Sequence, residues 1–274
     1  LLLENSMVYP HKIIKKMETE KVTGFAGVPS TYALLMNRVR FENYDLSSVR
    51  YMTQAGGAMA SAHVSRFTDT LPDIKFYVMY GQTEATARIT YLPPEKLKDK
   101  LGSVGIPIPD VEVEIQDSNG NKVEAGMTGE LCVKGENVML GYWNDKEKTS
   151  EVMQNGWLKT GDLAQCDDDG YISIVGRSTD MIKTGAHRIS PQEIEEVILE
   201  LNDVEEVAVL GKPDEILGQI IKAIIVPKKG KELNVKNIKA HCHKNLASYK
   251  IPKEIEFMDK LPKTATGKVQ KFLI

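Results

Sequence analysis

The sequence predicts an α/β layer joined to a small β-rich unit and a compact α+β unit, all within one 274-residue chain. Three observations carry that prediction. Helical and strand patterns alternate over residues 1–96, which favours a partial parallel sheet. Short strands separated by turn sequences fill residues 98–176, which favours a small antiparallel sheet or a barrel-like subdomain. A helix start at Ser190 then opens a third, mixed region of about 95 residues, within the usual range for a domain. The expected organisation is therefore 1–97, 98–176, a connecting hinge at 177–180, and a mobile unit at 181–274.

The elements follow in order. Lys12–Met17 and Thr31–Arg40 read as helices, and Val22–Val28, Val49–Gln54 and Lys75–Met79 as short buried strands. Gly56-Gly57 and Gly81 each follow a strand, where ligands collect in open α/β sheets. Val111–Gln116 alternates strictly, Asp117–Asn121 is a turn, and Gly129–Lys134 resumes as a strand. Asp167–Gly170 is a second turn before the strand Tyr171–Val175. Ser190-Pro191-Gln192-Glu193 reads as a capping box with proline at the first helical position, opening a helix to about Leu201. Val204–Leu210 and Gln219–Val226 read as strands, Val235–Ala247 as a helix and Glu254–Met258 as a strand. There is no internal repeat and no low-complexity tract.

Composition sets the class. Hydrophobic residues make up 42% and charged residues 27%, and the net charge is -3, so nothing global points to nucleic acid or a membrane. No apolar run is long enough to span a bilayer. Cys132, Cys166 and Cys242 lack CxxC spacing and read as free thiols in a reducing, cytoplasmic compartment. His241-Cys242-His243 resembles a metal tract but lacks further ligands, and reads better as a partly exposed helix face. The opening residues lack the features of a signal peptide. They also lack an initiating Met and begin mid-pattern, so the chain reads as a fragment of something longer.

Trp157–Glu195 is the most informative stretch. Asp162 and Arg177 sit at opposite ends of one turn-connected unit, where a carboxylate and a guanidinium can meet the same ligand. Tyr80-Gly81-Gln82-Thr83-Glu84 follows a strand; the Thr hydroxyl can donate to a phosphate oxygen and Glu84 can hold Mg²⁺ beside it. Taken alone, the Tyr80–Glu84 motif reads better as a strand-end turn, and the plain readings of the others are an Asx turn at Asp162 and a surface arginine in a linker at Arg177. Pro262–Lys268 looks like a phosphate loop, but Pro262 replaces the first glycine and Val269 stands where Ser or Thr is needed.

Taken together and in this order, the motifs resemble the adenylate-forming (ANL) superfamily of acyl-CoA synthetases, peptide-synthetase adenylation domains and luciferases. Further matches are Gly129-Glu130-Leu131, Gly141-Tyr142-Trp143 and Glu193-Ile194-Glu195, and the resemblance runs from Val22 to Lys268. It is specific for the superfamily and weak for the substrate. It implies ATP-dependent activation of a carboxylic acid to acyl-AMP, with pyrophosphate released, and then transfer to the thiol of CoA. Gly56, Gly57, Ala58, Tyr80, Gly81 and Gln82 would line the adenine. Thr83 would touch phosphate and Glu84 would ligate Mg²⁺. Asp162 and Arg177 would hold the ribose. Lys268 would reach the α-phosphate and the substrate carboxylate. Rotation about Thr179 and Asp180 would then bring Lys183, Gly185, Ala186 and His187 to the CoA channel, with Arg188 on the AMP phosphate.

Three departures stand out. The phosphate-gripping loop of the superfamily is not in the chain, so the chain alone is expected to be inactive or weakly active. Thr179 replaces the usual Asp or Lys. Ala186 stands at the usual glycine, with Gly185 one position earlier. Tyr32, Met52, Thr53, Gln54, Ala55 and Met59 are expected near the acyl pocket, and their mix suits a medium- or long-chain fatty acid. Residues 228–271 carry twelve lysines against four acidic residues, a surface suited to CoA or to an acidic carrier protein. A homodimer stays open. Two rivals remain: an adenylation domain that loads an amino or aryl acid onto a carrier protein, and a non-catalytic nucleotide- or acyl-binding module.

Overall fold

The computed structural model describes residues 1–2, 7–264 and 269–274. Contacts gather the chain into two units. The first comprises Leu1–Glu114, Cys132–Thr160 and Cys166–Ser173; the second comprises Ile115–Leu131, Gly161–Gln165 and Ile174–Ile274.

The first unit opens with α1 (Pro10–Thr19), β1 (Gly24–Gly27), α2 (Pro29–Arg38), β2 (Tyr51–Gln54), α3 (Ser61–Thr70), β3 (Lys75–Tyr80), β4 (Thr90–Leu92) and β5 (Ile106–Pro107). Proline begins both α1 and α2, where its missing N–H costs nothing. The sheet order is β1-β2-β3-β4-β5. The first three strands are parallel, as the alternating pattern predicts, and β4 and β5 add an antiparallel edge. Helix α3 escapes sequence reading because its only fully buried side chains are Val64 and Phe67, too few to show a period.

Tyr32, Phe67 and Phe76 form the centre of the core. The Tyr32 ring lies edge-on to Phe67 at 4.9 Å and to Phe76 at 5.1 Å. Its hydroxyl donates to the Thr53 carbonyl at 2.7 Å. Tyr32 and Met52, expected near an acyl pocket, are fully buried members of the hydrophobic core.

The middle of the chain supplies β6 (Val111–Gln116), β7 (Gly129–Gly135), α4 (Lys146–Val152), β8 (Met153–Gln154), β9 (Trp157–Cys166) and β10 (Ile172–Arg177). Their order is β10-β9-β7-β6 with β8 on β9, an open sheet rather than a closed barrel. Both expected turns form by Asx chemistry. Asp117 Oδ1 accepts from the N–H of Asn119 and of Asn121, and Asp167 Oδ1 from those of Asp169 and Tyr171. Helix α4 was not foreseen. Asp145 caps it by accepting from the Lys148 N–H at 2.9 Å.

The second unit continues with β11 (Ile182–Thr184), β12 (His187–Ile189), α5 (Pro191–Leu199), β13 (Val204–Asp214), β14 (Gly218–Pro227), α6 (Val235–Asn245) and β15 (Glu254–Phe257). The sheet order is β12-β11-β14-β13, with β15 parallel to β14. The near-continuous apolar run of β14 marks it as a strand covered on both faces. Ile221, Ala223 and Ile225 pack with Ile194 and Ile198 of α5 and Ile238 and Cys242 of α6. Ile224 and Val226 face the other way, toward Leu261, Val269 and Ile274. The β13–β14 ladder runs to Asp214 and Gly218, four residues past the expected end at Leu210.

The expected capping box does not form. Ser190 is at the N-cap without a side-chain cap, because its hydroxyl donates to the Val175 carbonyl instead. Glu193 is engaged by Lys250. In the His-Cys-His tract, Cys242 is fully buried, and burial pushes its thiol up. His241 Nε2 lies 3.0 Å from Glu200 Oε2. Among the described residues no helix is long and apolar enough to cross a membrane.

Candidate functional site

In the first unit, the parallel pairing of β1, β2 and β3 brings their carboxyl ends to one edge of the sheet. The turn Gly56-Gly57-Ala58 leaves β2 at that edge and Tyr80-Gly81-Gln82 leaves β3, so sheet topology gathers these six residues. Gly56 has φ +82 and needs the freedom of glycine. Gln54, buried in β2, donates from Nε2 to the Gly57 carbonyl at 2.7 Å. It therefore holds the turn, a role its placement beside an acyl pocket did not anticipate.

The loop after Tyr80 folds tightly on itself. Thr83–Ala85 forms one 3₁₀ turn, and Thr86 and Ala87 both have positive φ. The Ala87 N–H donates to the Gln82 carbonyl at 3.0 Å. A side chain at Gly81 would meet the Ala87 carbonyl oxygen at 2.4 Å, so only glycine lets the loop close. Thr83 is exposed and Glu84 half-buried. Of the residues that hold this loop, Asn137 went unremarked in the sequence and Tyr142 stood out only as part of the matching Gly141-Tyr142-Trp143 motif. Asn137 donates from Nδ2 to the carbonyls of Ala85 and Arg88, the Thr86 hydroxyl donates to the Asn137 carbonyl, and Tyr142 Oη donates to Glu84 Oε1 at 2.9 Å. A concavity lined by Asp110, Glu112, Lys134, Glu136, Met139 and Gly156 contains none of the expected site residues.

In the second unit, Asp162 lies on β9 and is 5% exposed. Arg177 ends β10, and its Nε donates to Asp162 Oδ1 at 3.0 Å. The Arg177 side chain is 58% exposed, which leaves its outer nitrogens open to a ligand. The Ser178 N–H donates to the Gly161 carbonyl at 3.0 Å and closes the pair of strands behind them. Thr179 and Asp180 follow in an exposed turn in which the Asp180 N–H donates to the Arg177 carbonyl at 3.1 Å. Both sides of Thr179 fall in the second unit.

Lys183, Gly185, Ala186, His187 and Arg188 make a hairpin, with Thr184 opposite His187 and Lys183 opposite Arg188. Gly185 has φ +56 while Ala186 has an ordinary φ, so the turn has glycine at its first central position. The shifted glycine thus takes the one position in this turn that requires it. The His187 and Tyr249 rings stack at 4.1 Å and 8°. Lys268 lies outside the described residues. The ion pairs of this lysine-rich stretch run both ways: Lys231, Lys250, Lys263 and Lys271 pair with Asp203, Glu193, Glu206 and Glu195 from outside residues 228–271, while Glu254 and Glu256 within it are taken by Lys212 and Lys222.

Two family models match the chain: AMP-binding enzyme over residues 2–143 and AMP-binding enzyme C-terminal domain over residues 193–268. The chain belongs to the AMP-binding enzyme family. A long-chain-fatty-acid–CoA ligase of Yersinia pestis is 38% identical over 269 residues, which is 98% of this chain and 47% of the relative. A feruloyl-CoA synthase of an Amycolatopsis species is 37% identical over 96% of this chain and 53% of its own length. Among solved structures, an anthranilate CoA ligase in complex with anthranoyl-AMP matches with a TM-score of 0.91 and 32% identity, over 99% of this chain and 53% of that one. The chain thus spans about half the length of the relatives it matches. As a member of this family it combines a mixed α/β fold with the adenylate-forming architecture.

The donor chemistry fits the groups such a family handles. Among the described residues no three His, Cys, Asp or Glu converge on a metal position. Mg²⁺ needs no such cluster, since one carboxylate beside substrate phosphates is its ordinary setting. Glu84 is an all-oxygen donor of that kind. Asp162 offers a buried acceptor suited to hydroxyls.

Proposed function

We propose that this chain carries the nucleotide-handling and thiol-transfer parts of an AMP-forming acid–thiol ligase. The reaction joins a carboxylic acid to ATP as acyl-AMP, releases pyrophosphate and passes the acyl group to CoA. The Asp162–Arg177 pair carries this reading: a buried carboxylate, oriented by a guanidinium that keeps donors facing solvent. Such a pair suits a ribose, accepting from its hydroxyls and donating to its oxygens.

The other roles follow from chemistry. The turns Gly56–Ala58 and Tyr80–Gln82 would take the adenine. Thr83 would donate to phosphate, and Glu84 would hold Mg²⁺, which when bound offsets charge on the phosphates. A carboxylate attacking a phosphorus ringed by anionic oxygens meets repulsion, and Lys268 would reduce it most as charge moves toward pyrophosphate. Residues 177–180 would act as the hinge, with Thr179 and Asp180 the pivot that divides large-domain residues 1–176 from the mobile residues 181–274. Lys183, Gly185, Ala186 and His187 would then line the path of the CoA arm, and Arg188 would meet the AMP phosphate. On its own the chain would bind nucleotide yet activate acids weakly or not at all.

A medium- or long-chain fatty acid is the proposed substrate, supported by the fatty-acid–CoA ligase relative. An aryl acid is the second reading, favoured by the nearly equal identity to the feruloyl-CoA synthase. CoA is the preferred acceptor over a carrier protein, because both relatives are named for CoA.

Calorimetric titration with AMP and with 2′,3′-dideoxy-AMP tests the ribose role. Asp162→Asn weakens AMP by roughly tenfold or more, as expected for a lost hydrogen bond to a charged group. The dideoxy ligand should bind wild type and variant alike. If wild type binds both ligands equally well, Asp162 does not read the ribose.

A further inference from the structure

Glu84 does not stand alone in its loop. The segment after β7 reaches it from several directions. The Met139 N–H donates to the Glu84 carbonyl at 2.7 Å, and Tyr142 Oη donates to Glu84 Oε1 at 2.9 Å. Asn137 takes the carbonyls on either side of the left-handed pair Thr86 and Ala87, at 3.1 and 3.2 Å, and accepts the Thr86 hydroxyl on its own carbonyl. The Asn137 Oδ1 atom is buried without a hydrogen-bond partner, a cost accepted for directing Nδ2 at two carbonyls.

Tyr142 is itself fixed from behind. Its N–H donates to Thr149 Oγ1 at 2.9 Å, and the Thr149 hydroxyl donates to the Asp145 carbonyl at 2.7 Å. Lys148 Nζ lies 5.1 Å from the centre of the Tyr142 ring. Helix α4, capped by Asp145, thus anchors the ring whose hydroxyl meets Glu84. This arrangement occupies only one carboxylate oxygen. A carboxylate has two, with lone pairs to spare, so Glu84 Oε2 stays available while Oε1 is held.

We propose that Tyr142 and Asn137 are positioning residues that preset the Glu84 carboxylate and its loop for a divalent cation. The proposal rests on the reading above that Glu84 serves Mg²⁺. A free glutamate loses rotamer freedom when it binds; one already held by a hydroxyl loses less. The backbone needs the same help, because two consecutive non-glycine residues with positive φ are strained unless their surroundings impose them.

Mn²⁺ bound in the presence of ATP, followed by electron paramagnetic resonance, tests this without relying on turnover. Tyr142→Phe should raise the Mn²⁺ dissociation constant roughly three- to tenfold, the net worth of one ordinary hydrogen bond, since the hydroxyl acts on the cation only through Glu84, and leave the melting temperature close to wild type. Asn137→Ala should raise it as well and serves as the second probe if Tyr142→Phe misfolds. Unchanged Mn²⁺ affinity in a folded Tyr142→Phe protein overturns the positioning role. Glu84→Gln separates the two claims. If it leaves Mn²⁺ binding intact, the metal reading itself fails; if it abolishes binding while Tyr142→Phe has no effect, only the clamp fails.

Discussion

Single side chains here carry opposite burdens. Tyr32 is a core residue with one polar obligation, and burial pushes its hydroxyl well above the usual phenol range. Tyr32→Phe removes the donor to the Thr53 carbonyl. It should cost about 1–2 kcal/mol in urea unfolding without altering the packed rings. Glu196 on α5 runs the other way. Burial raises its carboxyl, Glu195, Glu193 and Glu200 add to the rise, and only the Gln192 amide opposes it. A carboxyl whose pKa is raised by folding stabilises the protein only while protonated, and that contribution is lost as pH climbs through the folded value. Glu196→Gln stays neutral throughout. Its melting temperature should match wild type near about pH 4 and exceed it increasingly toward neutrality; a gain confined to acid would reverse the assignment. At Gly81 a methyl group would lie 2.4 Å from the Ala87 carbonyl oxygen. Gly81→Ala should therefore destabilise by about 1–3 kcal/mol and weaken nucleotide binding along with it.

At the level of elements, the Lys183–Arg188 hairpin makes a paired prediction. Gly185→Ala places a side chain at φ +56 and should cost about 1 kcal/mol while slowing transfer to the thiol. Ala186→Gly should leave transfer unchanged, because position 186 has an ordinary φ, and should cost about 0.5–1 kcal/mol only through the freer unfolded chain. Stopped-flow transfer from preformed acyl-AMP reads both variants. The pair also shows how far the sequence was legible. That glycine stands one place early was plain from Thr184-Gly185-Ala186-His187; that the shift suits a two-residue turn needed the strand register. Strands with a clear pattern, such as the apolar run of β14 and the turns at Asp117 and Asp167, were legible because local chemistry fixes them. Helices α3 and α4 were not, since each shows too little apolar surface to betray a period. The Ser190 capping box failed for a long-range reason: the hydroxyl found the Val175 carbonyl, fifteen residues back. Tyr142 and Asn137 were invisible as supports for Glu84 because they lie 49 to 58 residues from their partners in the loop they hold.

For the whole molecule, the proposed chemistry draws on residues of each unit. The parallel-sheet edge of the first unit gathers Gly56–Ala58 and Tyr80–Glu84. The second holds the Asp162–Arg177 pair and the Lys183–Arg188 hairpin. Lys268, near the end of the chain, is assigned to the first half-reaction only. Lys268→Ala should abolish acyl-AMP formation yet leave transfer from preformed acyl-AMP nearly intact; equal loss of both steps would remove that role. The central claim is that this protein activates carboxylic acids as adenylates. Its most direct test is acid-dependent exchange of labelled pyrophosphate into ATP, run on the protein in its full natural length with fatty and aryl acids. The account predicts exchange that requires Mg²⁺ and one of these acids and falls sharply in Glu84→Gln and Lys268→Ala. Absence of acid-dependent exchange across both classes, from folded protein that binds ATP, would contradict it.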